Sequence, residues 1–165
     1  MSIELIVLDV DGTLTDGKIT YTQSGDELKS FCVKDGLAIA SWIRMGKDVA
    51  IITGRESEIV ARRAKELGIT HFYQGVHNKQ EVLVDILHAL NFTMENVASM
   101  GDDLNDAIML NASKRSYVPN NASFHVKKNA DVILTRAGGD AAVREMIEEL
   151  IISEGLEEEY LALWS

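Results

Sequence analysis

The length, composition and charge of the chain restrict it to a broad class. It has 165 residues, of which 46% are hydrophobic and 25% charged, as in a globular protein with one domain of ordinary size. The formal net charge of −10 argues against general nucleic-acid binding, which requires a basic surface. Apolar stretches do not approach the ~20 residues of a membrane helix, and no signal peptide precedes the first strand. We therefore expect a cytoplasmic protein without nucleic-acid or membrane partners.

The first predicted strand, at 4–9, ends in two carboxylates. Side chains two residues apart in an extended chain point to the same side, so Asp9 and Asp11 can converge on one small volume. Gly12 then lets the chain turn sharply. Because open α/β sheets bind ligands at the carboxyl ends of their strands, the pair is a candidate catalytic site. Taken alone, Asp-x-Asp-Gly is equally compatible with a turn or a calcium-type loop.

A short hairpin is predicted next, at about 18–33, with strands at 19–22 and 28–31. Beyond it, apolar runs alternate with helical patterns, which predicts an α/β fold with a Rossmann-like, doubly wound, mainly parallel sheet. We treat residues 1–165 as one domain with a C-terminal tail at about 154–165. The later strands are predicted at 48–52, 71–73, 96–100, 114–118 and 131–134, and the helices at 37–45, 57–67, 80–90, 106–110 and 141–152.

Three later segments place polar groups at the ends of these elements. Thr53 follows the strand at 48–52, Lys79 begins a predicted helix, and Gly101-Asp102-Asp103-x-x-Asp106 follows the strand at 96–100. Together with Asp9-x-Asp11-Gly12-Thr13, they resemble, in the same order, the four motifs of the haloacid dehalogenase-like phosphatase superfamily. The resemblance covers nearly the whole chain.

The resemblance implies phosphomonoester hydrolysis through a covalent aspartyl-phosphate. Asp9 would be the nucleophile, and Asp11 the general acid that protonates the leaving alkoxide and then the base that activates water. Thr53 would donate a hydrogen bond to the phosphoryl oxygens. Lys79 would neutralise them as negative charge develops.

The resemblance also implies a magnesium site, because Mg²⁺ prefers oxygen ligands. The implied ligands are Asp9, the backbone carbonyl of Asp11, and Asp102. Asp103 and Asp106 would support that shell or its waters.

The hairpin occupies the position at which many superfamily members carry a cap domain, so this chain resembles a capless member. A capless site is open, which suits either a large substrate or closure by neighbouring subunits. Because an isolated hairpin is marginally stable in water, we expect hairpins of several chains to assemble. The alternative is a hairpin that folds over its own core.

Several segments resemble the 3-deoxy-D-manno-octulosonate 8-phosphate (Kdo 8-phosphate) phosphatases, which are capless homotetramers in which a neighbouring chain helps to form the site. Two departures from that family are Ala141, where glycine is usual, and Ala107, where proline is usual. The segments that carry the resemblance are Asp9–Gly17, Phe31–Gly36, Ile52–Arg55, Tyr73–Lys79 and Gly138–Glu145.

The substrate implied is a small sugar-acid phosphate. Arg55 can pair with its carboxylate, bidentately and with charge assistance. Arg63, about two helical turns further, either faces another subunit's site or is a surface charge. Lys34-Asp35-Gly36 resembles the substrate loop of the family, although Asp-Gly is also a common turn before a helix.

Other interpretations remain open. The chemistry could serve an acylneuraminate or nonulosonate 9-phosphate, since related phosphatases can carry Glu at the position of Arg55. The chain could be a non-catalytic assembly module, similar to those fused to sugar-nucleotide synthetases, or a mutase. The aromatic tail, which includes Tyr160 and Trp164, could pack on its own subunit or reach a neighbour.

Overall fold

The computed structural model describes residues 2–165 and contains a parallel sheet with helices on both faces. In these residues the strands are Leu5–Leu8 (β1), Thr20–Tyr21 (β2), Glu27–Leu28 (β3), Asp48–Ile52 (β4), His71–Tyr73 (β5), Val97–Met100 (β6), Arg115–Val118 (β7) and Val132–Ile133 (β8). The helices are Val33–Arg44 (α1), Glu58–Leu67 (α2), Lys79–Leu90 (α3), Ala107–Ala112 (α4), Phe124–Asn129 (α5), Ala142–Ser153 (α6) and Glu157–Ala162 (α7), with 3-10 turns at Met94–Asn96 and Leu104–Asp106.

The sheet runs in the order β5-β4-β1-β6-β7-β8 with parallel pairing throughout, while β2 and β3 form a separate antiparallel hairpin. The prediction of a doubly wound α/β fold with a small hairpin insertion is confirmed. In register, Leu8 at the end of β1 is level with Ile51 of β4 and Met100 of β6. The segments that follow these strands therefore meet at one edge of the sheet.

The side chains of β1 alternate between two hydrophobic cores, one on each face of the sheet. Ile6 and Leu8 pack into the larger core with residues of α1 and α6, including Trp42. Leu5 and Val7 pack into the smaller core with residues of α3. Complete burial of one such side chain contributes roughly 1.5–3 kcal/mol. Packing from both faces therefore fixes β1 and the carboxylates that follow it.

Helix α1 begins four residues earlier than the predicted helix at 37–45. Lys34-Asp35-Gly36, which resembles a loop in the sequence, forms the first turn of α1. The amide of Gly36 donates to the carbonyl of Cys32 at 3.2 Å, and Asp35 is buried at 2% exposure against the start of α6. The prediction of a loop here is wrong because this tertiary contact stabilises the helical turn.

The hairpin is shorter than predicted. Its second strand begins at Glu27 and pairs that residue with Tyr21. The amide of Thr22 donates to the Asp26 carbonyl at 2.9 Å, and the amide of Asp26 donates to Thr22 Oγ1 at 3.0 Å. These bonds close the turn early, so the predicted strand at 28–31 is wrong beyond Leu28.

The C-terminal segment packs on its own chain. Tyr160 of α7 is buried in the larger core. The guanidinium of Arg44 lies 4.9 Å from the centre of the Trp164 ring and donates to the Leu163 carbonyl at 3.3 Å. Of the two alternatives for the tail, these contacts support docking on the same subunit.

Candidate active site

The candidate site is a pocket of about 310 Å³ at the carboxyl edge of the sheet. Asp9 and Asp11 follow β1, Thr53 follows β4, and Asp102 follows β6, so adjacent strands deliver them to the same place. The remaining lining residues are Gly54, Arg55, Asp103 and Asn105. The structure thus brings together most of the residues of the four sequence motifs. Asn105 was not singled out in the sequence, where it is one polar residue among several in an acidic loop.

Lys79, the first residue of α3, lies beneath this pocket with only 1% of its surface exposed. The Asn78 side chain caps α3 by accepting from the Glu81 amide at 3.3 Å, which fixes where the helix begins. Lys79 Nζ donates to Asp9 Oδ1 and to Asp106 Oδ1, both at 2.6 Å. Burial lowers the pKa of Lys79, but the two carboxylates outweigh it and hold that pKa above its usual value.

Asp9, Asp102 and Asp106 each place a carboxylate oxygen within 4.8 Å of the others. Asp106 Oδ2 accepts from the amides of Asp102 and Asp103 at 2.9 and 3.2 Å, and Oδ1 accepts from Lys79. Both Asp106 oxygens are therefore engaged, which suits a supporting position. Asp103 has a local role, since its carboxylate accepts from the Leu104 amide at 2.8 Å and caps the 3-10 turn.

The electrostatics of this cluster favour a divalent cation. Burial raises the pKa of Asp9 well above its usual range, and repulsion from Asp106 adds to the effect. Burial likewise raises the pKa of Asp102 to about 6, again with a contribution from Asp106. A cation between Asp9 and Asp102 would favour their ionised forms, and oxygen ligands suit Mg²⁺. The donor set fits a magnesium ion held by Asp9, Asp102 and an adjacent backbone carbonyl.

Gly12 is required by the closeness of the first and fourth motif loops. It has φ of +94°, and a Cβ built on it would lie 2.0 Å from Asp102 Oδ2. Thr13 Oγ1 donates to Asp102 Oδ1 at 3.3 Å across the same contact. Any side chain at position 12 would push Asp102 away from Asp9.

The hairpin of this same chain contacts Asp11. Lys29 Nζ donates to Asp11 Oδ1 at 2.6 Å, and the Lys29 side chain is completely covered. Arg55 Nε lies 3.9 Å from Asp11 Oδ2, while Arg55 Nη2 donates to Glu27 Oε1 at 3.3 Å. No role for Lys29 or Glu27 was predicted from the sequence. Their i, i+2 spacing on an extended segment indicates that both point toward one side, but it does not indicate that this side faces Asp11.

Four predicted substrate-binding residues lie outside this pocket in the single chain. Asp35 is buried and accepts from the Arg144 amide at 2.9 Å. Arg63 packs against Gly36, with its guanidinium 5.7 Å from the Phe31 ring. Lys34 lines a separate surface cavity of about 380 Å³. Substrate contact by Lys34, Asp35, Gly36 and Arg63 stays a prediction that requires a neighbouring chain.

Three features define the class of haloacid dehalogenase-like hydrolases. They are an open parallel sheet with a carboxylate pair after a central strand, a buried lysine, and an acidic loop after the neighbouring strand. The sequence profile of that family matches residues 72–147. The Kdo 8-phosphate phosphatase of Escherichia coli K12 is 42% identical over 154 residues, which cover 93% of this chain and 82% of that protein. This chain belongs to the Kdo 8-phosphate phosphatase family of the haloacid dehalogenase-like hydrolases.

Solved structures show the same likeness. The Moraxella catarrhalis Kdo 8-phosphate phosphatase, in complex with a magnesium ion, a phosphate ion and a Kdo molecule, superposes with a TM-score of 0.94 at 37% identity, covering 99% of this chain and 94% of that one. The cobalt-bound Haemophilus influenzae enzyme has a TM-score of 0.89 at 36% identity, covering 93% and 90%.

Proposed function

We propose that this chain hydrolyses Kdo 8-phosphate to Kdo and inorganic phosphate, a step in lipopolysaccharide biosynthesis, with Mg²⁺ as cofactor. The observation that carries the proposal is the pocket formed by Asp9, Asp11, Asp102 and buried Lys79, in a chain 42% identical to a phosphatase of that name. In the Moraxella catarrhalis relative, the same fold holds magnesium, phosphate and Kdo together.

In the first step, an Asp9 carboxylate oxygen attacks phosphorus and the bond between phosphorus and the sugar oxygen breaks. Asp11 gives its proton to the departing alkoxide, while Thr53 donates a hydrogen bond to the phosphoryl oxygens and Lys79 neutralises the charge that develops on them. In the second step, Asp11 takes a proton from water, which attacks the aspartyl-phosphate and releases phosphate and free Asp9. Bound between Asp9, Asp102 and the Asp11 carbonyl, Mg²⁺ would offset the repulsion between Asp9 and the phosphate.

Lys79 has a second task that its contacts support. A buried carboxylate next to an anionic substrate would tend to take up a proton and lose its nucleophilicity. The ammonium group, 2.6 Å from both Asp9 and Asp106, favours the ionised form of Asp9 and holds it at a fixed position. Replacing Lys79 by Met would therefore lower the turnover number more than it weakens substrate binding.

We further propose that the working form is a cytoplasmic homotetramer. Tyr21 and Leu28, on opposite faces of the hairpin, are 62% and 52% exposed, so each face offers an apolar side chain to a neighbouring chain. Hairpins from neighbouring chains would cover them. Separately, among the described residues, no helix combines the length and hydrophobicity that a membrane span requires.

The test is phosphate release from Kdo 8-phosphate, from a nonulosonate 9-phosphate and from p-nitrophenyl phosphate, with Mg²⁺ or with a chelator. We expect Kdo 8-phosphate to be the best substrate, and turnover to fall at least a hundredfold with chelator or in the Asp9→Asn variant, which lacks the nucleophile. Asp85→Asn, on an exposed position of α3, is the matched control. Preferred turnover of the nine-carbon ester would overturn the substrate, and no turnover of any ester would favour an assembly role.

A further inference from the structure

Two carboxylates and two cations form a network of ion pairs on one side of the pocket. Its members are Asp11, Glu27, Lys29 and Arg55. Lys29 lies 2.6 Å from Asp11 and 3.7 Å from Glu27, and Arg55 lies 3.9 Å from Asp11 and 3.3 Å from Glu27. Each carboxylate therefore has two cationic neighbours. The two hairpin residues of the network join the hairpin to the wall of the pocket.

The side chains of the two cations differ in their exposure to solvent. The Lys29 side chain is completely covered, whereas 47% of the Arg55 side chain is exposed and lines the pocket. Arg55 is thus the member that an incoming anion can reach. Its present partner, Glu27, is a carboxylate, which is also the group that distinguishes a sugar-acid phosphate from an ordinary sugar phosphate.

We propose that Glu27 is a specificity-determining residue that competes with the substrate: it holds Arg55 in the substrate-free chain, yields it to the carboxylate of the substrate, and so lowers the preference for carboxylate-bearing esters. This inference rests on the proposed function, because it requires a substrate that carries both a phosphate and a carboxylate. Glu27 engages Arg55 through Nη2 alone, at 3.3 Å. A substrate carboxylate that takes the guanidinium bidentately through Nη2 needs that same nitrogen, so the two compete for it.

Lys29 makes the exchange feasible. When Arg55 turns to the substrate, Glu27 keeps an ammonium group 3.7 Å away and does not become an unpaired carboxylate. An ester without a carboxylate has nothing to offer Arg55, so the pair of Arg55 and Glu27 stays closed. Glu27 therefore competes with substrates that carry a carboxylate and leaves the binding of other phosphate esters nearly unchanged.

The experiment compares Glu27→Gln with the wild type on Kdo 8-phosphate and on p-nitrophenyl phosphate, which has no carboxylate. The amide keeps the shape of the side chain and removes the competing charge. We expect KM for Kdo 8-phosphate, and the inhibition constant of free Kdo, to fall about two- to fivefold, the factor that corresponds to a part-exposed ion pair. The preference for Kdo 8-phosphate over p-nitrophenyl phosphate, as a ratio of kcat/KM, should rise by the same factor.

Asp26→Asn is the matched control, because it removes one negative charge from the neighbouring hairpin position without touching Arg55. Asp26 interacts with Thr22 and Ser24 in the exposed turn. A general electrostatic effect on anionic substrates would appear equally in both variants. An effect confined to Glu27→Gln supports competition for Arg55.

Two results would overturn the inference and are distinct from failure of the proposed function. An unchanged or increased KM for Kdo 8-phosphate in Glu27→Gln, with normal wild-type turnover, shows that Glu27 does not compete. An equal fall in KM for both esters shows that it acts on the phosphate. If the wild type hydrolyses p-nitrophenyl phosphate but no carboxylate-bearing ester, the proposed function fails and this inference fails with it.

Discussion

Asp35 is a buried carboxylate that stabilises a helix other than its own. Its Oδ1 accepts from the Arg144 amide in the first turn of α6, at 2.9 Å. Ala141, at the N-cap position, has no side-chain acceptor, so Asp35 supplies the missing cap from α1. Within residues 2–165, Oδ2 has no hydrogen-bond partner. Burial raises the pKa of this carboxyl to about 6, and the Arg144 contact opposes the rise.

The raised pKa predicts a pH dependence of stability. A carboxyl with a pKa of about 6 in the folded chain and its ordinary value when unfolded favours folding most when protonated, so this contribution is lost as the pH rises from 4 to above 6. In Asp35→Asn that loss is absent. The free energy of unfolding of the variant minus that of the wild type should therefore increase by up to about 3 kcal/mol between pH 4 and pH 7.

Urea unfolding at several pH values, with the same Mg²⁺ concentration for each protein, measures this difference. Exposed Asp85→Asn provides the control and should show no comparable trend. A difference that falls with rising pH would mean that the start of α6 stabilises the ionised carboxylate more than burial penalises it.

Single residues also mark how far the sequence predicts the site. Asp9, Asp11, Thr53 and Asp102 could be placed in one pocket because each follows a strand of a parallel sheet, and such strands share a carboxyl edge. Lys29 could not, since its contact with Asp11 depends on how the hairpin folds back over the sheet. That direction is set by tertiary packing, which the local pattern does not contain.

At the scale of elements, the start of α6 braces the loop that follows β1. A Cβ on Gly138 would lie 1.8 Å from the Gly12 carbonyl oxygen, so the two backbones touch. The Gly139 amide donates to the Thr13 carbonyl at 3.2 Å. These contacts connect the start of α6 to the loop that carries Asp11. Asp35, which caps the first turn of α6, stabilises the same end of the helix.

Ala141, the N-cap residue of α6, has a strained backbone. Its φ is +69°, a left-handed conformation that costs an L-residue with a Cβ about 1–2 kcal/mol. Ala141→Gly relieves that strain, although glycine loses more entropy on folding. We expect a net gain of about 1 kcal/mol, which corresponds to a rise in Tm of about 2–4 °C for a chain of this size.

Differential scanning calorimetry at fixed Mg²⁺ checks the value. The matched control is Ala142→Gly, one residue further, where the backbone is helical and the side chain buried. That change should lower Tm, because glycine weakens a helix and leaves a small gap in the core. Equal effects of the two substitutions would contradict the argument from strain.

Element boundaries show where sequence patterns are sufficient. Each strand of the main sheet ends at the predicted residue or one residue inside it. The alternation of short apolar runs with helical patterns, each run bounded by polar residues, made these strands recognisable. Helices α5 and α7, of six residues each, were not predicted, whereas α4, of the same length, was predicted at 106–110. So short a segment shows little helical periodicity, and α4 was found because it directly follows an acidic motif. The register of the hairpin depends on side-chain bonds in its turn, which the alternation pattern does not specify.

At the scale of the whole molecule, the net charge of −10 opposes the approach of an anionic substrate. The candidate site counters this locally, since Lys29, Arg55 and Lys79 surround its carboxylates. The hairpin contacts the pocket through Lys29 and carries exposed Leu28 on its other face. Another chain packed on the hairpin would help to exclude water and hold the sugar, which connects assembly with activity.

The tetramer is therefore testable through Leu28, which is 52% exposed on the hairpin. Light scattering coupled to size-exclusion chromatography should give the wild type four times the chain mass of 18.2 kDa. Leu28→Lys introduces charges that repel one another where hairpins meet, so we expect smaller species and a higher KM for Kdo 8-phosphate.

Ile133→Lys is the matched control: the residue is equally exposed, at 52%, on β8 at the sheet edge, and its variant should stay tetrameric. A wild type that runs as a monomer with full activity would contradict the assembly, whereas a tetrameric Leu28→Lys variant would place the interface elsewhere.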